Sequence, residues 1–271
     1  GEIPYYVSRK NRPTLKRRIR FWKKPKEVCQ IVVKAGKRNI VNEAFRVLRT
    51  NFEFTIGTHP EQNVIVFTSL NPGSGKSHLA ANMAMSLAIK KKKVLLIDGD
   101  LRHGSASMLV GSPGEGLSDY LNGRIADIHD ILHKGEESGL VKYFDVIPIG
   151  TIPPNPTELL FTPLLEQMIR QMRQEYDYVF IDCPPIEVVA DTPIYEQFAD
   201  RTIFVVRAGL MERSMLPEID ALYKEKKFKN MTLILNATKA RGGRYGSHYG
   251  YGYGYGYGYN YNKEKNGGAK S

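Results

Sequence analysis

The chain has 271 residues, with 39 Lys and Arg against 28 Asp and Glu, 42% hydrophobic residues and two cysteines. That length and composition describe one large α/β domain with tails and exclude wholesale disorder. No apolar run reaches the roughly 18 residues of a membrane span, no secretory signal pattern opens the chain, and Cys29 and Cys183 are too few for a disulfide framework, which fits a reducing compartment.

Residues 1–38 carry 13 Lys and Arg against Glu2 and Glu27, while the rest of the chain is balanced, so the whole excess of +11 sits at the N-terminus. Over 1–27 the Pro-punctuated, aperiodic pattern predicts an arm. Such an arm suits an anionic membrane surface, at about 1 kcal/mol per basic residue near it; nucleic-acid binding and a plain solvated linker are the alternatives. The chain opens on Gly1, as a piece cut from a longer protein would. Phe45, Leu48, Phe52 and Ile56 recur at helical spacing and predict an amphipathic helix over 41–56. Residues 64–69 form a short continuous apolar run, the pattern of a buried parallel strand. A helix rich in Ala, Met and Leu follows over 77–91. Further strands are expected at 94–98, 144–149, 178–182, 202–207 and 231–236, with helices at 157–175 and 214–226. Strands alternating with helices predict a mostly parallel sheet covered on both faces. The chain thus divides into a basic arm (1–38), an α/β domain (39–238) and a tail (239–271).

The first strand runs into Ser69-Leu70-Asn71-Pro72-Gly73-Ser74-Gly75-Lys76-Ser77 and then a helix, the context a P-loop requires. Gly73 and Gly75 let backbone N–H groups turn inward around phosphate oxygens. Lys76 supplies positive charge for the terminal phosphates, the Ser77 hydroxyl can bind Mg²⁺, and the helix N-terminus adds partial positive charge. Leu70 stands where the first glycine of that motif is usual. Two aspartate motifs lie at strand ends: Asp98-Gly99-Asp100 closes one and Asp182-Cys183-Pro184-Pro185 another. In a doubly wound sheet these acids meet the P-loop at the carboxyl edge, where carboxylates can hold Mg²⁺ or take a proton from an attacking oxygen. Taken singly, an Asp at a strand end is as well explained by a turn or a cap. His78, His103, His129 and His133 do not form a metal-ligand pattern, and Cys183 reads as a small buried filler.

After Thr238 the core pattern stops. Tyr245, Tyr249, Tyr251, Tyr253, Tyr255, Tyr257, Tyr259 and Tyr261 place eight of the 16 tyrosines in one Gly-interleaved stretch. Such a segment cannot build a core. It is either a phosphate acceptor presented in several registers or a sticky low-complexity tail.

The combination of PGSGKS (72–77), VLLIDGDLR (94–102) and VFIDCPP (179–185) resembles the bacterial tyrosine kinases of capsule and exopolysaccharide export, P-loop proteins related to partitioning ATPases. Glu43, Arg46 and Arg49 resemble that family's E-x-x-R-x-x-R helix, which assembles subunits into a ring, an octamer in the family. The tyrosine tail resembles the cluster these enzymes autophosphorylate, and the opening GEIPYY resembles the stretch after the second membrane helix of single-chain members. The resemblance implies ATP and Mg²⁺ held by Pro72, Gly73, Ser74, Gly75, Lys76, Ser77, His78 and Arg102, with Asn236 near the base. It also implies catalytic roles for Lys76, Asp98, Asp100 and Asp182, with Ser77 and the three acids around the metal; Asp98 is favoured as base and Asp100 as metal-linked. It further implies a place on the cytoplasmic face of the inner membrane, partnership with polysaccharide chain-length machinery fused upstream, a phosphatase, and no nucleic acid. His78 replaces a usual Thr, and His103-Gly104 a usual basic residue and Pro. The rival readings are a partitioning ATPase switch, whose extra P-loop lysine is Asn71 here, and a catalytically weak assembly module.

Overall fold

The computed structural model describes residues 2–4, 29–56, 61–188 and 191–238. Its centre is a seven-stranded sheet in the order β1-β7-β6-β2-β5-β3-β4, parallel in every pairing. Strands β2 (Val64–Thr68), β3 (Val94–Asp98) and β5 (Tyr178–Asp182) are buried at every position. Continuous apolar runs of this kind arise when both faces of a parallel sheet are covered.

The period-two alternation of side chains splits the core in two. On one face, Ile65, Phe67, Leu96 and Phe180 meet α1 (Ile40–Ile56) and α2 (Lys76–Ala88) through Phe45, Phe52, Leu79 and Met83. The Phe67 and Phe180 rings meet tilted at 4.9 Å, and Phe52 meets Tyr178 at 5.5 Å. Each fully buried side chain of this size is worth about 1.5–3 kcal/mol over an exposed one. On the other face, Val64, Val66, Leu95 and Ile181 pack on Leu165, Met168, Met172 and Tyr195. Because all strands run the same way, the loops after β2, β3, β5, β6 (Arg201–Arg207) and β7 (Thr232–Thr238) gather at one edge of the sheet.

Several elements differ from expectation. The helix expected over 157–175 is two, α4 (Pro156–Leu159) and α5 (Pro163–Glu175). Pro163 cannot continue a helix and holds the preceding Thr162 extended, at φ −72° and ψ 145°. The last helix starts as a 3₁₀ turn, Arg213–Met215, and becomes α7 (Leu216–Lys224). Two five-residue helices, α3 (Leu117–Leu121) and α6 (Thr192–Glu196), are too short to carry a helical period. Strand β4 (Phe144–Ile147) ends two residues early.

The stretch read as an arm contributes to the fold. β1 (Glu2–Pro4) adds to the sheet beside β7, Glu2 facing Leu235 and Ile3 facing Asn236. Residues 29–33 lie along α2, where Asn82 Oδ1 accepts from the backbone N–H groups of Val32 (2.7 Å) and Val33 (3.1 Å) and Asn82 Nδ2 donates to the Gln30 carbonyl (2.8 Å). Charge dominated the reading of this stretch, yet its apolar Ile3, Cys29 and Val33 are buried. Residues 5–28, with most of the basic excess, and the tyrosine tail from 239 onward lie outside the described residues. Among the described residues no helix is long and apolar enough to cross a membrane.

Candidate nucleotide site

The loop between β2 and α2 wraps one end of a cleft of about 490 Å³ at the carboxyl edge of the sheet, a volume typical of small-ligand sites. Gly73 and Gly75 take φ +76° and +86°, where side chains are strained. A Cβ on Gly75 would lie 2.4 Å from Asn236 Nδ2. That amide donates to the Ser74 carbonyl (2.9 Å), and Asn236 Oδ1 accepts from the Ala237 N–H (2.8 Å). Asn236 therefore braces the loop, using one of its two amide donors and one oxygen lone pair while it lines the cleft. On the other side Arg207 Nη1 donates to the Gly73 carbonyl. Among the described residues the N–H groups of Gly75 and Lys76 donate to no other protein group. Together with the start of α2 they form a cradle for an anion.

Lys76 Nζ lies 4.0 Å from Asp100 Oδ2 and largely out of solvent. Asp100 also accepts, at Oδ1, from the Arg102 N–H (3.3 Å) and faces His103 Nδ1 (3.2 Å). Asp98 and Asp182 sit opposite each other in register on β3 and β5, both fully buried. Asp98 Oδ2 accepts from the Ser107 N–H (2.6 Å) and hydroxyl (2.7 Å). Asp98 Oδ1 and both oxygens of Asp182 have no hydrogen-bond partner among the described residues. Burial, and for Asp98 the facing Asp182, raise the pair's pKa values, Asp98 to about 7 and Asp182 to about 6. Ser107 pulls Asp98 back, and Lys76 and the neighbouring Ser77 hydroxyl pull Asp182 back.

Unpartnered buried carboxylate oxygens are costly unless a ligand completes them. Among the described residues no three His, Cys, Asp or Glu side chains converge as a metal cage. Mg²⁺ needs none: it keeps several waters and takes one or two carboxylates plus substrate phosphates. Ser77, Asp182 and Asp100 fit that requirement.

Pro72, Gly73, Gly75, His78, Arg102 and Asn236 all line the cleft together with Lys76, Ser77 and Asp100, whereas Ser74, Asp98 and Asp182 lie behind its wall. Arg102 is anchored by Nη2 to Thr157 and Asp191. The three residues of the α1 motif point two ways within one copy. Glu43 and Arg46 form an exposed ion pair, but Arg49 is buried and Nη1 donates to the Ser86 carbonyl (2.8 Å) and hydroxyl (3.2 Å) on α2. At about 100° per residue two steps of three rotate a side chain by about 120°, which carries Arg49 onto the stripe of Phe45, Leu48 and Phe52. Ser107, Asn82, Arg207, Thr157 and Asp191 were not anticipated. Only Arg207, a cation at a strand's carboxyl end, left a readable signal.

A glycine-turned anion cradle, a lysine beside it and carboxylates on the two adjacent strand ends define the P-loop class of nucleotide-binding proteins. Residues 62–209 match the family described as AAA domain. The chain is 34% identical to the tyrosine-protein kinase CpsD of Streptococcus agalactiae over 208 residues, 76% of this chain and 87% of that protein. It is 36% identical to the putative tyrosine-protein kinase AmsA of Erwinia amylovora over 183 residues, 67% of this chain but 24% of that protein. The chain therefore spans about a quarter of one relative and most of another. The kinase domain of the Escherichia coli tyrosine kinase ETK superposes with a TM-score of 0.74 at 28% identity, covering 93% of each chain. The chain belongs to the bacterial tyrosine-protein kinase family.

Proposed function

We propose that this chain transfers the γ-phosphoryl group of ATP to tyrosine hydroxyls, chiefly those of Tyr245 to Tyr261 on neighbouring copies. Lys76, the N–H groups of the P-loop and Arg102 hold the phosphates, and Ser77, Asp100 and Asp182 hold Mg²⁺, in part through water. When bound, the metal supplies positive charge to the terminal phosphates. The tyrosine oxygen bonds to the γ-phosphorus, the bond to the β-bridging oxygen breaks, and ADP leaves. Asp98, behind the cleft wall, takes the phenolic proton by way of a water: its pKa, raised towards neutrality, suits a base, and Oδ1 has no competing donor. Positioning and fixed charge supply most of the rate.

The observation that carries this reading is Asp182, fully buried with both oxygens unpartnered among the described residues, directly across from Asp98 and beside Lys76 and Ser77. By resemblance, the enzyme works as a ring on the cytoplasmic face of the inner membrane, beside polysaccharide chain-length machinery and opposed by a phosphatase. Asp98→Asn tests the chemistry. ATP affinity should stay within about threefold while phosphotransfer falls by about 10²–10⁴; undiminished transfer removes Asp98 as the base.

A further inference from the structure

Arg102 reaches the cleft from the loop after β3, about one-third exposed. Among the described residues its side-chain hydrogen bonds run from Nη2: to Thr157 Oγ1 at 2.9 Å and to Asp191 Oδ2 and Oδ1 at 3.3 and 3.4 Å. Thr157 Oγ1 in turn donates to Asp191 Oδ1 at 2.6 Å. Nε of Arg102 is buried without a partner among the described residues. The guanidinium is thus tethered through one nitrogen, Nη2, with Nη1 making no hydrogen bond among the described residues.

Asp191 is fully buried, and among the described residues its carboxylate accepts from no group other than Thr157 and Arg102. Its place immediately before α6 would make it a helix cap. Yet it makes no side-chain cap bond, and its φ of −74° and ψ of −36° are already helical, so capping does not explain a buried charge there. A buried carboxylate is retained where a cation answers it, and here that cation is Arg102. The three partners come from three separate places: the loop after β3, helix α4 beyond β4, and the head of α6 beyond β5. The contact therefore fixes the arginine relative to strand ends that carry the site.

We infer that Asp191, acting with Thr157, is a positioning residue that holds the Arg102 guanidinium by Nη2 at the mouth of the cleft, leaving Nη1 to meet nucleotide phosphate. This rests on the proposed role of Arg102 as a phosphate contact. An arginine left free loses much rotamer freedom when it binds; one already held loses less.

The test is a double-mutant cycle on the full 271-residue chain, reading ATP affinity, KM for ATP and kcat. Arg102→Ala and Asp191→Asn should each raise KM for ATP by roughly tenfold with little change in kcat, and the double variant should be no worse than Arg102→Ala alone. Thr157→Val should share the defect and Thr157→Ser should restore it, which a merely structural role would not produce. If Asp191→Asn melts so early that its kinetics cannot be read, the Thr157 cycle decides. Should Arg102→Ala weaken ATP binding while Asp191→Asn and Thr157→Val do not, or should the losses add in the double variants, the positioning role is overturned and the phosphate contact stands. A silent Arg102→Ala overturns both.

Discussion

Replacing Arg49 by Met separates folding from assembly. The long apolar stem is kept, so packing between α1 and α2 changes little, while the donor to the Ser86 carbonyl and hydroxyl is removed. A hydrogen bond from a charged group contributes about 1.5–3 kcal/mol, and the 3.8 Å pairing with Glu53 adds a few tenths. Relief of the buried Nε, which faces Glu53 without a hydrogen bond, offsets part of that loss. The net cost is about 2 kcal/mol, which in a domain of this size lowers Tm by about 4–8 °C. Glu43→Ala, which breaks only an exposed pair with Arg46, should cost under about 1 kcal/mol and act on particle size instead. Both variants are melted at low protein concentration, where assembly adds little apparent stability, and sedimented at high concentration. Arg49→Met melting like wild type while its particles fall apart would refute the intramolecular role and return Arg49 to the subunit interface.

Gly75→Ala places a side chain at φ +86° and a Cβ 2.4 Å from Asn236 Nδ2; the conformation alone costs about 1–2 kcal/mol, so a fluorescent ATP analogue should bind at least tenfold more weakly, and only part should return in Gly75→Ala/Asn236→Ala. Unchanged binding would contradict the cradle. Without nucleotide the folded protein holds protons on Asp98 and Asp182 that the unfolded chain has released. Stability from these groups is therefore full below about pH 4 and lost as pH rises through about 6 to 7. His129, whose pKa its partners Glu175 and Asp127 raise, contributes with the same sign. The diagnostic is accordingly the difference from Asp182→Asn, whose denaturation midpoint should fall less between pH 5 and 8; parallel curves would remove the buried pair as the cause.

The sheet was readable because its strands are short, wholly apolar and separated by helical patterns, and parallel strands buried on both faces admit few other sequences. The P-loop and both aspartate motifs were readable because local spacing carries their chemistry. What escaped depends on tertiary contact. Asn82 reads as an ordinary helix residue, yet it ties down a segment some 50 positions earlier. Ser107 and Asp191 belong to no motif and matter only because the chain returns them to Asp98 and Arg102. Arg49 and Asn236 were seen, but their contacts to Ser86 and Ser74 were not, since a residue's place in a motif does not say which way its side chain turns. Ile3 and Cys29 were masked by the charge around them, although burial follows the apolar residue and not the average of its stretch.

The central claim, phosphoryl transfer to the tyrosine tail, is tested most directly by intact-mass spectrometry of the full chain before and after incubation with Mg·ATP, beside Lys76→Met. A ladder of added phosphates mapping to Tyr245–Tyr261 and absent in the variant is the predicted result. One unmodified mass in both proteins, with ATP turned over, would contradict it.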